Sequence, residues 1–246
     1  MKYVIVVCML ITFPVAGTAG EFVAYTVNDQ DLEGYMTGMP AEAPLILLIH
    51  DWDGLTDYEV KRADMLGERG YAVFAADLFG VGVRPTAAED KRRITSELMA
   101  DRETMLLLMY GALEAAQSKG ARIDNAVAMG YCFGGTAVLE LAGSGADLKG
   151  FVTFHGGLET PEGRDYTRTK GKVLVFHGTA DRSVSMEQFA ELADAFEEKN
   201  VDHEMITYGG APHAFTVFGT DRYREHADKK SWRRFLVFLK ETLGTE

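Results

Sequence analysis

Cysteine is almost absent from this chain of 246 residues: Cys8 and Cys132 are the only two. Cys8 falls in an apolar leader, so a chain that has shed the leader keeps one thiol and forms no internal disulfide. Nowhere do His and Cys cluster at metal-ligand spacing, which excludes a structural zinc site, and no metal is expected. Proline is sparse, at six residues, and there is no Pro- or Ser-rich linker, low-complexity tract or internal repeat. Nothing therefore divides the chain, and its length suits one α/β domain. Basic residues are outnumbered, 25 Lys and Arg against 37 Asp and Glu, for a net charge of −12. A surface of that sign argues against a nucleic-acid partner.

The N-terminus differs from the rest. Met1-Lys2 is a short positive start, residues 3–15 are almost wholly apolar, and residues 16–20 are small. The pattern is that of a secretory signal peptide over residues 1–19, cleaved after Ala19, ahead of a single domain over residues 20–246. The apolar run is too short for an ordinary spanning helix, although an uncleaved anchor is the alternative. The expected location is secreted or periplasmic, with no stable membrane association after cleavage. Retention of one thiol in an exported chain, where thiols tend to oxidise, points to a sulfur kept for its chemistry.

That sulfur sits in the most informative stretch. The apolar run Ala126-Val127-Ala128-Met129 ends in Gly130-Tyr131-Cys132-Phe133-Gly134, and a small-residue helix follows from Thr136. Strand, sharp turn and helix, with a nucleophile at the turn and glycines two residues to either side, make the nucleophile elbow of α/β-hydrolases, with sulfur in place of the usual hydroxyl. A Cβ at either glycine would strike the neighbouring strand or helix. The helix N-terminus favours thiolate. An elbow nucleophile needs a base and an orienting carboxylate, in chain order nucleophile, acid, histidine. The strand pattern of residues 172–177 runs into Gly178-Thr179-Ala180-Asp181, and that of residues 203–208 runs into Gly209-Gly210-Ala211-Pro212-His213. Cys132, Asp181 and His213 thus fall in the required order at strand ends, where active sites of open α/β sheets lie.

Elsewhere, residues 22–27 and 32–37 read as a hairpin, and residues 44–50 and 71–77 as buried strands. Residues 58–69, 97–119, 185–199 and 221–243 read as helices. Met105, Leu106, Met109 and Leu113 line one face of the second, and Trp232, Phe235, Leu236 and Leu239 one face of the last. Strands alternating with helices predict an α/β fold with a mostly parallel central sheet and helices on both faces. His50, His155 and His177, each at a strand end, are expected in hydrogen-bonded structural roles.

His50-Asp51-Trp52-Asp53-Gly54-Leu55, Asp77-Leu78-Phe79-Gly80, the Cys132 elbow with Gly134-Gly135, His177-Gly178-Thr179-Ala180-Asp181 and His213-Ala214-Phe215 together resemble the dienelactone hydrolase family. The resemblance covers about residue 26 to the C-terminal helix. It implies an α/β-hydrolase fold, a Cys-Asp-His triad, no cofactor, and hydrolysis of an enol-ester lactone. It also implies a carboxylate that hydrogen-bonds the thiol, at a position matched here by Asp51, one methylene shorter than the family's glutamate. Two arginines of the family hold the substrate carboxylate. Arg84 lies near the first position, Val217 stands at the second, and Arg222 and Arg224 are candidates to replace it.

The expected chemistry is acyl transfer to water. Cys132 attacks, His213 handles the proton, Asp181 orients the imidazole, and the backbone N–H groups of Phe133 and Trp52 receive the oxyanion. The expected partner is a small ester or lactone, with neutral substrates turned over at least as well as anionic ones because Val217 removes one cation. A broad carboxylesterase or thioesterase and a non-catalytic exported thiol-sensing or binding protein are the alternatives.

Overall fold

A computed structural model of the protein describes residues 20–38, 42–161 and 163–244. The expected signal peptide, residues 1–19, lies outside the described residues. Among the described residues, eight strands form one sheet: β1 (Glu21–Val27), β2 (Gln30–Met36), β3 (Pro44–Ile49), β4 (Ala72–Ala76), β5 (Arg122–Tyr131), β6 (Gly150–Phe154), β7 (Lys172–Gly178) and β8 (His203–Tyr208). Their order is β1-β2-β4-β3-β5-β6-β7-β8. The β1–β2 and β2–β4 pairs are antiparallel and every other pair is parallel.

Alternation along the central strands builds two cores. Leu45, Leu47 and Ile49 of β3 face one side, where they join α3 (Arg102–Ser118), α4 (Phe133–Ser144) and α5 (Met186–Lys199). Ile46 and Leu48 face the other, under α1 (Asp57–Gly67) and α6 (Glu225–Leu243). Both faces of β3 are buried, which is why its sequence is continuously apolar. Thr56 with Glu59, and Ser185 with Gln188, form capping boxes at the starts of α1 and α5.

Two helical expectations change. Residues 97–119 are not one helix. The chain leaves helical geometry at Asp101 (φ −107°, ψ 72°), whose carboxylate accepts the Thr104 N–H and caps α3. Residues 97–100 belong instead to a separate helix, α2 (Ala88–Ala100), which buries none of its residues fully and only rests Ile94 and Leu98 against the core. Within α3, Met105, Met109 and Leu113 are buried as expected, while Leu106 is only partly so. The last helix begins at Glu225 rather than 221, after turns that carry Thr220–Tyr223.

Candidate active site

Cys132 follows β5 directly and caps α4 with a strained backbone (φ 49°, ψ −113°). The flanking glycines permit this by close approach. A Cβ on Gly130 would lie 2.2 Å from the Gly134 carbonyl oxygen, and one on Gly134 would lie 2.4 Å from that of Ile49. Asp181 follows β7 and His213 follows β8, so three strand ends converge. His213 Nε2 lies 3.1 Å from Cys132 Sγ, and Nδ1 lies 2.8 Å from Asp181 Oδ2. Asp181 Oδ1 accepts the N–H groups of Ser183 and Val184 at 2.8 and 3.0 Å. Burial by itself raises a carboxyl pKa. Here the hydrogen bond and charge of His213, with those two amides, outweigh it and hold Asp181 below its ordinary value. An ionised Asp181 requires the hydrogen on Nδ1, which leaves the Nε2 lone pair facing the sulfur.

The thiol itself departs from the helix-dipole expectation. Burial, followed by the charge and hydrogen bonding of Asp51, pushes the Cys132 pKa well above its ordinary value, and the Phe133 N–H at the start of α4 opposes this only in part. The resting group is a neutral thiol. Asp51 is buried, and burial raises its carboxyl to about 6 against the hydrogen bond from Trp52 N–H. Its Oδ1 accepts that N–H at 2.5 Å. Of the two amides expected to receive an oxyanion, that of Trp52 is thus turned to a resting partner, Asp51. Behind them Glu59 accepts the Asp51 N–H at 3.2 Å, and burial raises its own carboxyl to about 8.

A cavity of about 360 Å³ opens over the sulfur, lined by Asp51, Trp52, Phe133 and His213 together with Arg92, Thr95 and Met99 of α2 and with Arg222. The Lys91 ammonium sits 5.2 Å from the Trp52 ring centroid and pairs with Asp53 at 3.2 Å, which ties α2 to the loop after β3. A larger groove of about 610 Å³, lined by Arg224, His226 and Lys230 beside β8, contains none of Cys132, Asp181 and His213. Among the described residues no group of three or more His, Cys, Asp or Glu could hold a metal.

Residues 32–243 match the model of the dienelactone hydrolase family. The chain belongs to the dienelactone hydrolase family. It is 24% identical, over 80% of its length and 83% of the relative's, to a probable 2-oxo-3-(5-oxofuran-2-ylidene)propanoate lactonase of Bradyrhizobium. A putative carboxymethylenebutenolidase of Synechocystis is 22% identical over 90% of this chain and 95% of the relative. Among solved structures, a dienelactone hydrolase-like promiscuous phosphotriesterase from metagenomic libraries superposes with a TM-score of 0.84, at 29% identity, covering 91% of this chain and 98% of that one. The protein is an α/β-hydrolase that acts on small esters or lactones.

Within this dienelactone hydrolase fold, the expected arginine is corrected. Arg84 does not line the cavity. Its guanidinium donates to the backbone carbonyls of Leu55 and Val83, the latter at 2.8 Å, and stands 3.5 Å from the buried Asp77 carboxylate. Those bonds tie the loop after β4 to the loop after β3. Arg224 donates to the carbonyls of Asp221 and Tyr223, away from the cavity. Arg222 does reach the cavity, and Arg92 joins it. Sequence reasoning missed Arg92 because it rides on α2. Of the strand-end histidines, His50 is structural. Its Nδ1–H donates to the Asp51 carbonyl at 2.6 Å and its Nε2 accepts the Leu78 N–H at 3.2 Å. His155 bonds Thr216, whereas neither nitrogen of His177 has a hydrogen-bond partner among the described residues.

Proposed function

We propose that the protein hydrolyses small esters or lactones bearing a carboxylate, through a thioester intermediate on Cys132. The contact that carries this reading is the unbroken line from Sγ through the His213 imidazole to Asp181, at 3.1 and 2.8 Å. Because the thiol rests protonated, attack requires His213 Nε2 to take its proton as the S–C bond forms. Asp181 stays ionised and stabilises the imidazolium. The carbonyl electron pair moves onto oxygen, where the Phe133 N–H receives it; the Trp52 N–H joins once Asp51 releases it. Collapse breaks the C–O bond, and the departing alkoxide takes the proton from His213. In a lactone the alcohol stays tethered to the acyl group. Water then attacks the thioester, His213 removes its proton, and the thiolate leaves and is reprotonated.

Arg92 and Arg222 supply the carboxylate preference. Both line the cavity, and neither spends its guanidinium on an ion pair among the described residues. This replaces the neutral preference that Val217 suggested. A thiol sensor would need neither a base nor a carboxylate aligned behind the sulfur, which favours catalysis over that alternative. The test is turnover of p-nitrophenyl acetate and of a dienelactone by Cys132→Ala, His213→Ala and Asp181→Asn, with the last expected to lose about 10³–10⁴ in kcat. Full turnover by folded Cys132→Ala would sink the reading. Export remains part of the proposal, on the charged start and apolar run of residues 1–15. N-terminal sequencing of protein from the fractionated native host should find Gly20 first, and a cytoplasmic chain still beginning at Met1 would refute export.

A further inference from the structure

Three residues beyond His213, the Thr216 side chain is fully buried behind the proposed base. Its hydroxyl lies 2.7 Å from Tyr58 Oη and 2.8 Å from His155 Nε2, and its carbonyl accepts from Arg62 Nη2 at 2.8 Å. The His155 ring packs edge to face on the His213 ring, with centroids 5.3 Å apart. The chemistry proposed above uses none of Tyr58, His155 and Thr216.

The direction of these bonds follows by elimination. Tyr58 Oη accepts from Arg62 Nε at 3.3 Å, so the phenol proton, which burial holds in place, goes to Thr216. The Thr216 hydroxyl accepts there and sends its own proton to His155 Nε2. Burial, with the neighbouring His213, keeps His155 neutral and able to accept. One hydroxyl thus joins α1, the turn after β6 and the loop that carries His213. Both loop segments hold strained backbones, His155 at φ 42° and Ala214 at φ 61°. Such conformations persist only where the surroundings over-determine them.

We propose that Thr216 is a positioning residue, whose hydrogen bonds to Tyr58 and His155 hold the His213 imidazole in line with the Cys132 sulfur. This rests on His213 being the base. The test is steady-state turnover of p-nitrophenyl acetate by Thr216→Val, Thr216→Ser, Tyr58→Phe and His213→Ala of the full chain. Valine keeps the shape of threonine and loses the hydroxyl. A misplaced base should lower kcat by about 10- to 100-fold, with KM within about twofold because ground-state binding is untouched. Thr216→Ser should restore most of that kcat, and Tyr58→Phe, which removes the donor to Thr216 together with an acceptor for Arg62 Nε, should also lower kcat at constant KM. Near-normal kcat in Thr216→Val, or serine as slow as valine, overturns the proposal. Should Thr216→Val fail to fold, Tyr58→Phe decides, and an unchanged kcat there overturns it equally. His213→Ala separates the two readings. If it stays active, the base assignment has failed; if it is dead while Thr216→Val is normal, only the positioning role has failed.

Discussion

Asp51 accepts the backbone N–H of Trp52 at 2.5 Å, through the same buried carboxylate that raises the pKa of the Cys132 thiol. A side chain one methylene shorter than glutamate has folded back onto the next amide, so a single group restrains both the nucleophile and one of the two proposed oxyanion donors. Asp51→Asn keeps the shape and removes the charge. Its thiol should alkylate faster with iodoacetamide at pH 8, by about tenfold for each unit its pKa falls. Mass spectrometry of the Cys132 peptide over time measures this. An unchanged or slower rate would remove Asp51 from control of the thiol.

The same substitution should alter stability with pH. The folded-state pKa of Asp51 is raised to about 6, from an ordinary value of 3.8. Between those values the native state binds more protons than the unfolded chain, so stability falls as pH rises through the window. The penalty is absent below about pH 4 and complete above about pH 6, on the order of 3 kcal/mol. Glu59, raised to about 8, extends the decline upward. Thermal unfolding of wild type and Asp51→Asn should therefore coincide near pH 4 and diverge by pH 7, with the variant more stable. Parallel curves would show that the carboxyl is not held strained.

Arg92→Ala and Arg222→Ala should each raise KM for a carboxylate-bearing lactone, and neither should raise it for the methyl ester. Charge-assisted hydrogen bonds are worth roughly 1.5–3 kcal/mol, and solvent exposure reduces this, so about five- to tenfold per arginine is expected. Equal effects on acid and ester would leave both arginines as surface residues.

Arg62 and Asp228 form a buried ion pair at 2.5 Å, and the guanidinium lies over the rings of Phe218 and Trp232 at 4.2 and 5.0 Å. Asp228→Asn leaves that cation uncompensated and should cost about 3–5 kcal/mol in urea unfolding. Replacing both residues with apolar ones should recover much of the loss. A cost below about 1 kcal/mol would place the pair among ordinary surface bridges.

Cys132, Asp181 and His213 were legible because each lies on a turn soon after a stretch with strand patterning, continuous for β5 and β7 and alternating for β8. The burial of β3 was equally visible in its continuous apolar run. Arg92 was not, because it sits on an exposed helix away from any strand end. Val217 drew attention to a missing cation, but only the tertiary fold puts Arg92 and Arg222 around one cavity and spends Arg84 on backbone carbonyls. Thr216 bonds Tyr58 across 158 residues of chain and His155 across 61, separations at which neither partner marks the other in sequence. The break at Asp101 was hidden because helix-forming residues lie on both sides of it.

The exposure of α2 has a consequence for how such an enzyme can change. Arg92, Thr95 and Met99 wall the cavity from a helix that buries no residue fully and touches one core only through Ile94 and Leu98. Substitutions on surfaces of that kind usually move stability by no more than about 0.5 kcal/mol. The elbow, by contrast, sits where one added carbon meets backbone at 2.2 Å. Selection for a new acyl group can therefore rewrite one wall residue by residue while the reacting atoms stay put, so that the selectivity of this scaffold drifts much faster than its chemistry.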